Sequence, residues 1–129
     1  MPRPPSSQLT EVELQILRIL WEKQAATARQ IHNCISEDRN TNYSTTVKML
    51  SVMLGKKLVK RDETVHPQMY RPAATQQRTQ KKMLQDLISK VYNGSTGSLV
   101  LQALSSQQAS PKDLAEIRQL LDELEESEK

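Results

Sequence analysis

Along the first part of the chain, the apolar positions recur at helical spacing in three short segments. The first two segments each open with a threonine that is followed three residues later by a glutamate or a glutamine, the arrangement of a capping box. These pairs are Thr10 with Glu13 and Thr27 with Gln30. With the apolar faces that follow, they predict helices over about 10–23 and 28–37.

A third helix is expected after a polar segment, with Ser44 or Thr45 as its N-cap. The residues expected to face inward from this helix and its end are Val47, Leu50, Met53, Leu54 and Leu58. The pattern then changes from helical to short and extended.

Residues 58–62 and 68–71 flank a polar turn that contains Pro67, which predicts a small β-hairpin. Three helices followed by a hairpin is the order of elements in a winged helix-turn-helix, with the hairpin as the wing. We therefore expect a mainly α fold with a small β-hairpin wing, in which residues 1–73 form a DNA-binding domain and residues 74–129 form a helical tail.

The tail is expected to contain three helices. The first runs over about 75–91 and ends before Asn93-Gly94, a pair that tolerates left-handed backbone. A short apolar helix covers 99–104, and the last helix has Ser110 as N-cap and Pro111 at its first position. Because these apolar stripes are thin for a core within one chain, the tail is interpreted as a dimerisation region. The residues expected at the dimer interface are Leu84, Leu87, Ile88, Val91, Leu99, Val100, Leu104, Leu114, Ile117, Leu120, Leu121 and Leu124.

Composition supports a soluble, helix-rich protein, with 36% hydrophobic and 26% charged residues. No apolar run approaches the ~18 residues that span a membrane, and the N-terminus lacks the apolar core of a signal peptide, so a cytoplasmic location is expected. The single cysteine, Cys34, is expected to be a small core residue. Together with His32 and His66 it makes no metal-ligand spacing, and no cofactor is predicted.

Charge is distributed unevenly along the chain. Residues 40–71 hold six basic and two acidic residues, whereas residues 113–129 hold two basic and seven acidic residues. A basic stretch of this kind attracts the phosphate backbone of DNA. A solvated Lys/Arg face would give the same pattern, so charge does not decide the function.

The segment from Asn42 to Lys48 offers short polar side chains in the first turn of the third helix, as a recognition helix requires. The hydroxyl groups could instead only cap this helix, but its place before a basic hairpin favours contact with DNA. Tyr70 could pack the wing against the helices. The residues expected to contact DNA are Asn42, Tyr43, Ser44, Thr45, Thr46, Lys48, Lys60, Arg61 and Arg71.

Several segments together resemble the BlaI/MecI/CopY family of penicillinase and methicillin-resistance repressors over nearly the whole chain. The segments are residues 9–14 and 20–22 in the first helix, 43–50 in the third, 58–61 and 70–72 around the wing, and 92–95 and 99–100 in the tail. The resemblance implies a homodimer whose two winged helices bind the halves of a palindromic operator. It also implies induction through a membrane-bound sensor with a zinc-protease domain, which leads to cleavage of the repressor in its dimerisation region.

Two departures from the family pattern are visible. Lys57 stands where a glycine commonly precedes the Leu-Val pair, so the third helix could end differently and the wing could be angled differently. The paired-cysteine motif of the copper-responsive branch is absent from this sequence, which argues against metal induction.

The sequence therefore predicts a DNA-binding transcription repressor rather than an enzyme, since no nucleophile, carboxylate pair or phosphate-binding loop has the spacing of an active site. The alternative is a winged helix that docks an acidic protein partner through its basic stretch.

Overall fold

Six helices and a three-stranded sheet make up the computed structural model, which describes residues 9–128. The elements are α1 (Glu11–Lys23), β1 (Ala26–Thr27), α2 (Ala28–Ile35), α3 (Tyr43–Gly55), β2 (Val59–Asp62), β3 (Met69–Pro72), α4 (Gln76–Val91), α5 (Thr96–Ser106) and α6 (Pro111–Ser127). This order confirms the predicted mainly α fold with a β-hairpin wing.

Both predicted capping boxes form at the N-termini of α1 and α2. The Thr10 hydroxyl accepts from the Glu13 amide at 3.1 Å, and the Glu13 carboxylate accepts from the Thr10 amide at 2.9 Å. Thr27 and Gln30 exchange the same two bonds at 3.2 and 2.9 Å. The helix α2 ends at Ile35, two residues earlier than predicted, with Ser36 as its C-cap and turns over the residues that follow.

The prediction that Ser44 or Thr45 caps α3 is wrong. The N-cap is Asn42, whose backbone is extended and whose side-chain oxygen accepts from the Thr45 amide at 2.9 Å. Helix α3 therefore begins at Tyr43, and the two hydroxyl residues lie in its first turn.

The C-terminus of α3 is closed by two backbone hydrogen bonds. The Leu58 amide donates to the Met53 carbonyl, and the Lys57 amide donates to the Leu54 carbonyl, at 2.9 and 3.1 Å. These are the bonds of a Schellman motif, which places its closing residue in the left-handed region. Lys57 has φ 63° accordingly, so the helix ends in the geometry that a glycine would adopt there.

The predicted hairpin belongs to an antiparallel sheet of order β1-β3-β2. Strand β1 was not predicted, and it pairs Ala26 with Tyr70 and so joins the wing to the segment between α1 and α2. In the hairpin itself, Lys60 lies opposite Arg71 and Arg61 lies opposite Tyr70.

One hydrophobic core lies among α1, α2, α3 and the sheet. Its buried residues are Ile16, Leu17, Leu20, Ala26, Ile31, Ile35, Leu50, Met53, Val59 and Tyr70. Leu50 and Met53 face inward as predicted, and Tyr70 packs the wing against the helices. Leu54 and Leu58 are partly buried against this core, and Cys34 is half-buried.

The chain divides into two compact units at a point within α4, between Met83 and Leu84. The prediction that residues 1–73 bind DNA and residues 74–129 form a dimerisation region stays a prediction. In the structure, the Trp21 indole donates to the Ala74 carbonyl at 3.0 Å and the Ala73 amide donates to the Leu58 carbonyl, so both residues are tied to the first unit.

The second unit contains the end of α4 together with α5 and α6, and none of its described residues is buried. Asn93 and Gly94 end α4 with positive φ values of 52° and 82°, and Ser110 caps α6 with Pro111 next to it, as predicted. Between residues 9 and 128, no helix is long and apolar enough to cross a membrane.

Candidate nucleic-acid interface

Helix α3 has one buried and one exposed face. Its buried face carries Thr46, Leu50 and Met53 into the core. At 100° per residue, the opposite face is formed by short or charged side chains and one valine. The residues of this outward face, all of them exposed, are Ser44, Thr45, Lys48, Ser51, Val52 and Gly55.

The first turn of α3 holds its hydroxyl groups in fixed positions. The Ser44 and Thr45 hydroxyls both donate to the Asn42 side-chain oxygen, at 2.8 and 2.7 Å. Each hydroxyl retains its lone pairs as acceptors. A hydroxyl arranged in this way is suited to the amino groups of adenine or cytosine, which are the donors in the major groove. The Asn42 side-chain oxygen is engaged as the cap and positions these hydroxyl groups, while the contact of this exposed residue with DNA stays a prediction.

The structure contradicts the prediction that Thr46 contacts DNA. Its side chain is 0% exposed, and its hydroxyl lies 2.8 Å from Nδ1 of His32. A polar group that is buried needs such a partner, so the hydrogen bond joins α2 to α3. Thr46 is therefore a core residue of α3.

Tyr43 is half-buried at the junction of α2 and α3. The guanidinium carbon of Arg29 lies 3.8 Å from the centre of the Tyr43 ring, a cation–π contact, and the His32 ring meets the same ring edge-on at 5.6 Å. Sequence reasoning missed Arg29, which is exposed in the first turn of α2. Arg29 lies between the two residues of the Thr27–Gln30 capping box, where no local pattern marks it, and its contact with Tyr43 depends on how the helices pack.

The wing carries basic residues on both of its faces. Lys60 and Arg71 are cross-strand partners on one face, where two like charges directly opposite each other destabilise a sheet. A bound anion would relieve this repulsion. Arg61 lies on the other face and forms an ion pair with Glu63 at 2.6 Å. The hydrogen bond to Glu63, followed by that to Tyr70, raises the pKa of Arg61.

Three cations of the predicted DNA-binding set have no acidic partner within ion-pair distance among the described residues. They are Lys48, Lys60 and Arg71, whereas the three ion pairs found in residues 9–128 join Arg39 with Glu11, Lys56 with Glu13 and Arg61 with Glu63. Hydrogen bonds from Thr64 and the charge of Arg71 lower the pKa of Asp62, so the charge of Arg71 is partly offset within the wing, whereas the charges of Lys48 and Lys60 are available to an external anion. The same part of the chain holds no group of three or more His, Cys, Asp or Glu residues that could bind a metal ion.

The end of α3 is held to α1 by a charged hydrogen bond. The Lys56 ammonium donates to the Glu13 carboxylate at 2.9 Å, and the two side chains are only 17% and 6% exposed. Burial raises the pKa of Glu13, but the hydrogen bonds from Thr10 and Lys56 lower it by more, so the pKa lies below its ordinary value. The pair fixes α3 at the end opposite to its Asn42 cap.

The residues predicted for the dimer interface lie on α4, α5 and α6, and none is buried within one chain. The exposed ones are Leu84, Leu87, Val91, Val100, Leu104, Leu120, Leu121 and Leu124. The half-buried ones are Ile88, Leu99, Leu114 and Ile117. Leu101, which the prediction left out, is 70% exposed. Exposed apolar surface of this extent is typical of a surface that binds another protein.

Comparison with known proteins gives a consistent result. A family model described as penicillinase repressor matches residues 9–123. The penicillinase repressor of Staphylococcus aureus is 20% identical over 117 residues, which cover 91% of this chain and 93% of that protein. The penicillinase repressor of Bacillus licheniformis is 21% identical, with 90% and 91% covered. The methicillin resistance regulatory protein MecI of Mammaliicoccus sciuri is 24% identical, with 88% and 93% covered.

Proposed function

Because the chain belongs to the penicillinase repressor family, whose members are transcription repressors, we propose that it binds palindromic operator DNA as a homodimer. The observation that carries this proposal is the outward face of α3. It carries three exposed hydroxyl groups and a lysine, whereas the opposite face is anchored in the core. An operator covered in this way is closed to transcription, and no catalytic step is required.

In this proposal, α3 lies in the major groove and the wing follows the DNA backbone. Ser44 and Thr45 contact base edges, and Lys48 contacts a guanine or a phosphate. Lys60 and Arg71 bind phosphates and determine the position of the wing, but carry no sequence information. Tyr43, with Arg29 stacked on it, borders this surface at the start of α3.

Homodimerisation is supported by the second unit, whose apolar residues are exposed in a single chain. Pairing of two tails buries this surface and fixes the spacing between the first units of the two chains, which bind the DNA. The second half-site is then bound at a high effective concentration, which raises the affinity for a palindrome. We propose a cytoplasmic site of action, where the operator lies.

The inducing signal is the remaining part of the proposal. By its membership of the family, the chain is expected to respond to a β-lactam-type signal through a membrane-bound sensor metalloprotease, with cleavage in the dimerisation region. Loss of the tail would separate the first units of the two chains and release the operator.

The experiment is a salt-dependent gel shift of the full chain with duplex DNA from upstream of its own gene and with a random duplex of equal length. We expect tighter binding to the upstream duplex at every salt concentration and a steep loss of affinity for both duplexes as salt rises. Equal binding of the two duplexes would overturn operator recognition. Absence of binding to either would favour the alternative, an acidic protein partner for the basic surface.

A further inference from the structure

Val52 stands out on the outward face of α3 because it is the one large apolar side chain there. It is 51% exposed, whereas the other residues of this face within α3 are hydroxyl, lysine or glycine residues. The core does not need Val52, since Thr46, Leu50 and Met53 already fill the inward side of the helix.

Val52 lies among the residues of the outward face of α3 that are proposed to contact bases. On a helix of 3.6 residues per turn, it lies between Thr45 and Lys48 in angle and about 6 Å beyond Lys48 along the axis. One turn further, Gly55 has no side chain, and apart from its chain neighbours and the backbone of its own helix, no atom of the described residues comes within 4 Å of the place where its Cβ would be. The surface beyond Val52 is therefore open to close approach by a groove wall.

The chemistry of Val52 identifies the group that it can contact. A valine has no hydrogen-bonding atoms, so it cannot read the donors and acceptors of a base edge. The only apolar group that a base presents in the major groove is the C5-methyl group of thymine. A β-branched side chain is also stiff, so little side-chain entropy is lost when it makes a contact.

We propose that Val52 is a specificity-determining residue that contacts the methyl group of a thymine in each operator half-site, about two base pairs along the groove from the group that Lys48 contacts. This inference rests on the proposed function. It adds an apolar contact to a surface whose other contacts are polar.

The test uses the full-length protein and a duplex enriched from a random library by the wild-type chain. Each thymine of one half-site is replaced in turn by deoxyuridine, which removes only the methyl group. We expect one position at which the wild type loses about fourfold in affinity, the factor for one methyl group removed from water. Val52→Ala, which removes the contact from both half-sites of the homodimer, should lose about sixteenfold on the thymine duplex and nothing further at that uracil.

Val65→Ala is the matched control, because Val65 is a similarly exposed valine in the turn of the wing. It should retain the full loss at the same uracil. If the loss of affinity from Val52→Ala and the loss from the uracil added together at every uracil position, the inference would be overturned. Operator recognition would remain intact. A wild-type chain that enriches no sequence at all would overturn the proposed function, and the inference with it. The melting temperature of Val52→Ala should be unchanged, which separates a lost contact from a damaged helix.

Discussion

Lys57 occupies a backbone conformation that favours glycine. With φ 63° it closes the Schellman motif of α3, and an L-residue in this region costs roughly 1 kcal/mol relative to glycine. We expect Lys57→Gly to raise the free energy of unfolding by about 0.5–1 kcal/mol. Urea unfolding at a fixed protein concentration measures it. Lys57→Ala removes the amine but keeps the Cβ and should change little; an equal gain in both variants would show that charge, not backbone strain, is responsible.

Thr45 and Thr46 are neighbours in opposite environments, so their alanine variants should affect different properties, DNA specificity for Thr45 and stability for Thr46. Thr45 is exposed, so Thr45→Ala is expected to lower the ratio of operator to random-DNA affinity with little change in melting temperature. Thr46→Ala leaves His32 without its partner and should lower stability by roughly 1–2 kcal/mol while the affinity ratio stays constant. Anisotropy titrations and thermal melts on both variants decide this, and a reduced ratio for Thr46→Ala would contradict the buried role.

Local signals explain which of these residues could be predicted. The capping boxes at Thr10 and Thr27 depend only on residues three apart, and both formed as expected. The burial of Thr46 was also visible in principle, because Thr46, Leu50 and Met53 share the i, i+4, i+7 spacing of one helix face. The hydroxyl group of Thr46 nevertheless favoured a contact with DNA, and the helical spacing that indicated burial was given less weight. The role of Arg29 had no local signal.

The two faces of the wing should contribute differently to DNA binding. Lys60→Ala and Arg71→Ala should each weaken binding to operator and random DNA alike, and should lower the slope of log affinity against log salt by about 1.8, the value for one lost phosphate contact in each of the two chains of the dimer. Arg61→Ala, on the other face and already paired with Glu63, should change the slope much less. Equal slopes for all three variants would mean that the wing binds DNA in another orientation.

The connection between α1 and α3 should make stability sensitive to acid. The pKa of Glu13 in the folded chain lies below its ordinary value of 4.5, so the stabilising effect of its carboxylate is present above pH 4.5 and is lost as the pH falls through the lower folded value. Glu13→Gln should therefore destabilise the chain by roughly 2 kcal/mol at pH 7. The difference from the wild type should shrink below pH 4.5.

Glu11→Gln is the control for this pair, because Glu11 lies in the same first turn but its side chain is 88% exposed. Exposed ion pairs contribute little, so its stability should follow the wild type across the pH range. Chemical unfolding at several pH values provides the measurement. A constant difference between wild type and Glu13→Gln at every pH would contradict the assignment.

Elements differed in how far the sequence predicted them. The helices of the tail and the hairpin followed from periodicity and strong caps such as Ser110 before Pro111. Strand β1 has only two residues, too few for an alternating pattern, and it exists because Ala26 and Thr27 pair with the third strand. Pairing of this kind is a property of the fold, so it could not be inferred from local sequence.

In the proposed homodimer, the tail holds the DNA-binding units of two chains together. Leu120 and Leu121 are each about half exposed on α6 within one chain. We expect Leu120→Asp or Leu121→Asp to leave the chain monomeric at micromolar concentration and to abolish operator binding, because burial of an unpaired carboxylate costs several kcal/mol. Sedimentation velocity and gel shift test this together.

Gln119→Asp is the matched control, since it adds the same charge at the neighbouring position of α6. It should remain dimeric and bind the operator. If the leucine variants also remained dimeric, the apolar stripe of α6 would not be the interface.

The uneven burial of the two units also has a consequence for the order of events during synthesis. The hydrogen bonds that close the first unit reach no further than Ala74 and the start of α4, so this part can fold while the rest is still being made. The apolar residues from Leu84 onward leave the ribosome afterwards, without a core of their own to enter. With the proposed homodimerisation, a new chain consists of a folded first unit and a tail with exposed apolar residues until a second chain pairs with it, and the concentration of chains sets how long this state lasts. At low expression, we expect proteases and chaperones to compete with a second chain for that tail.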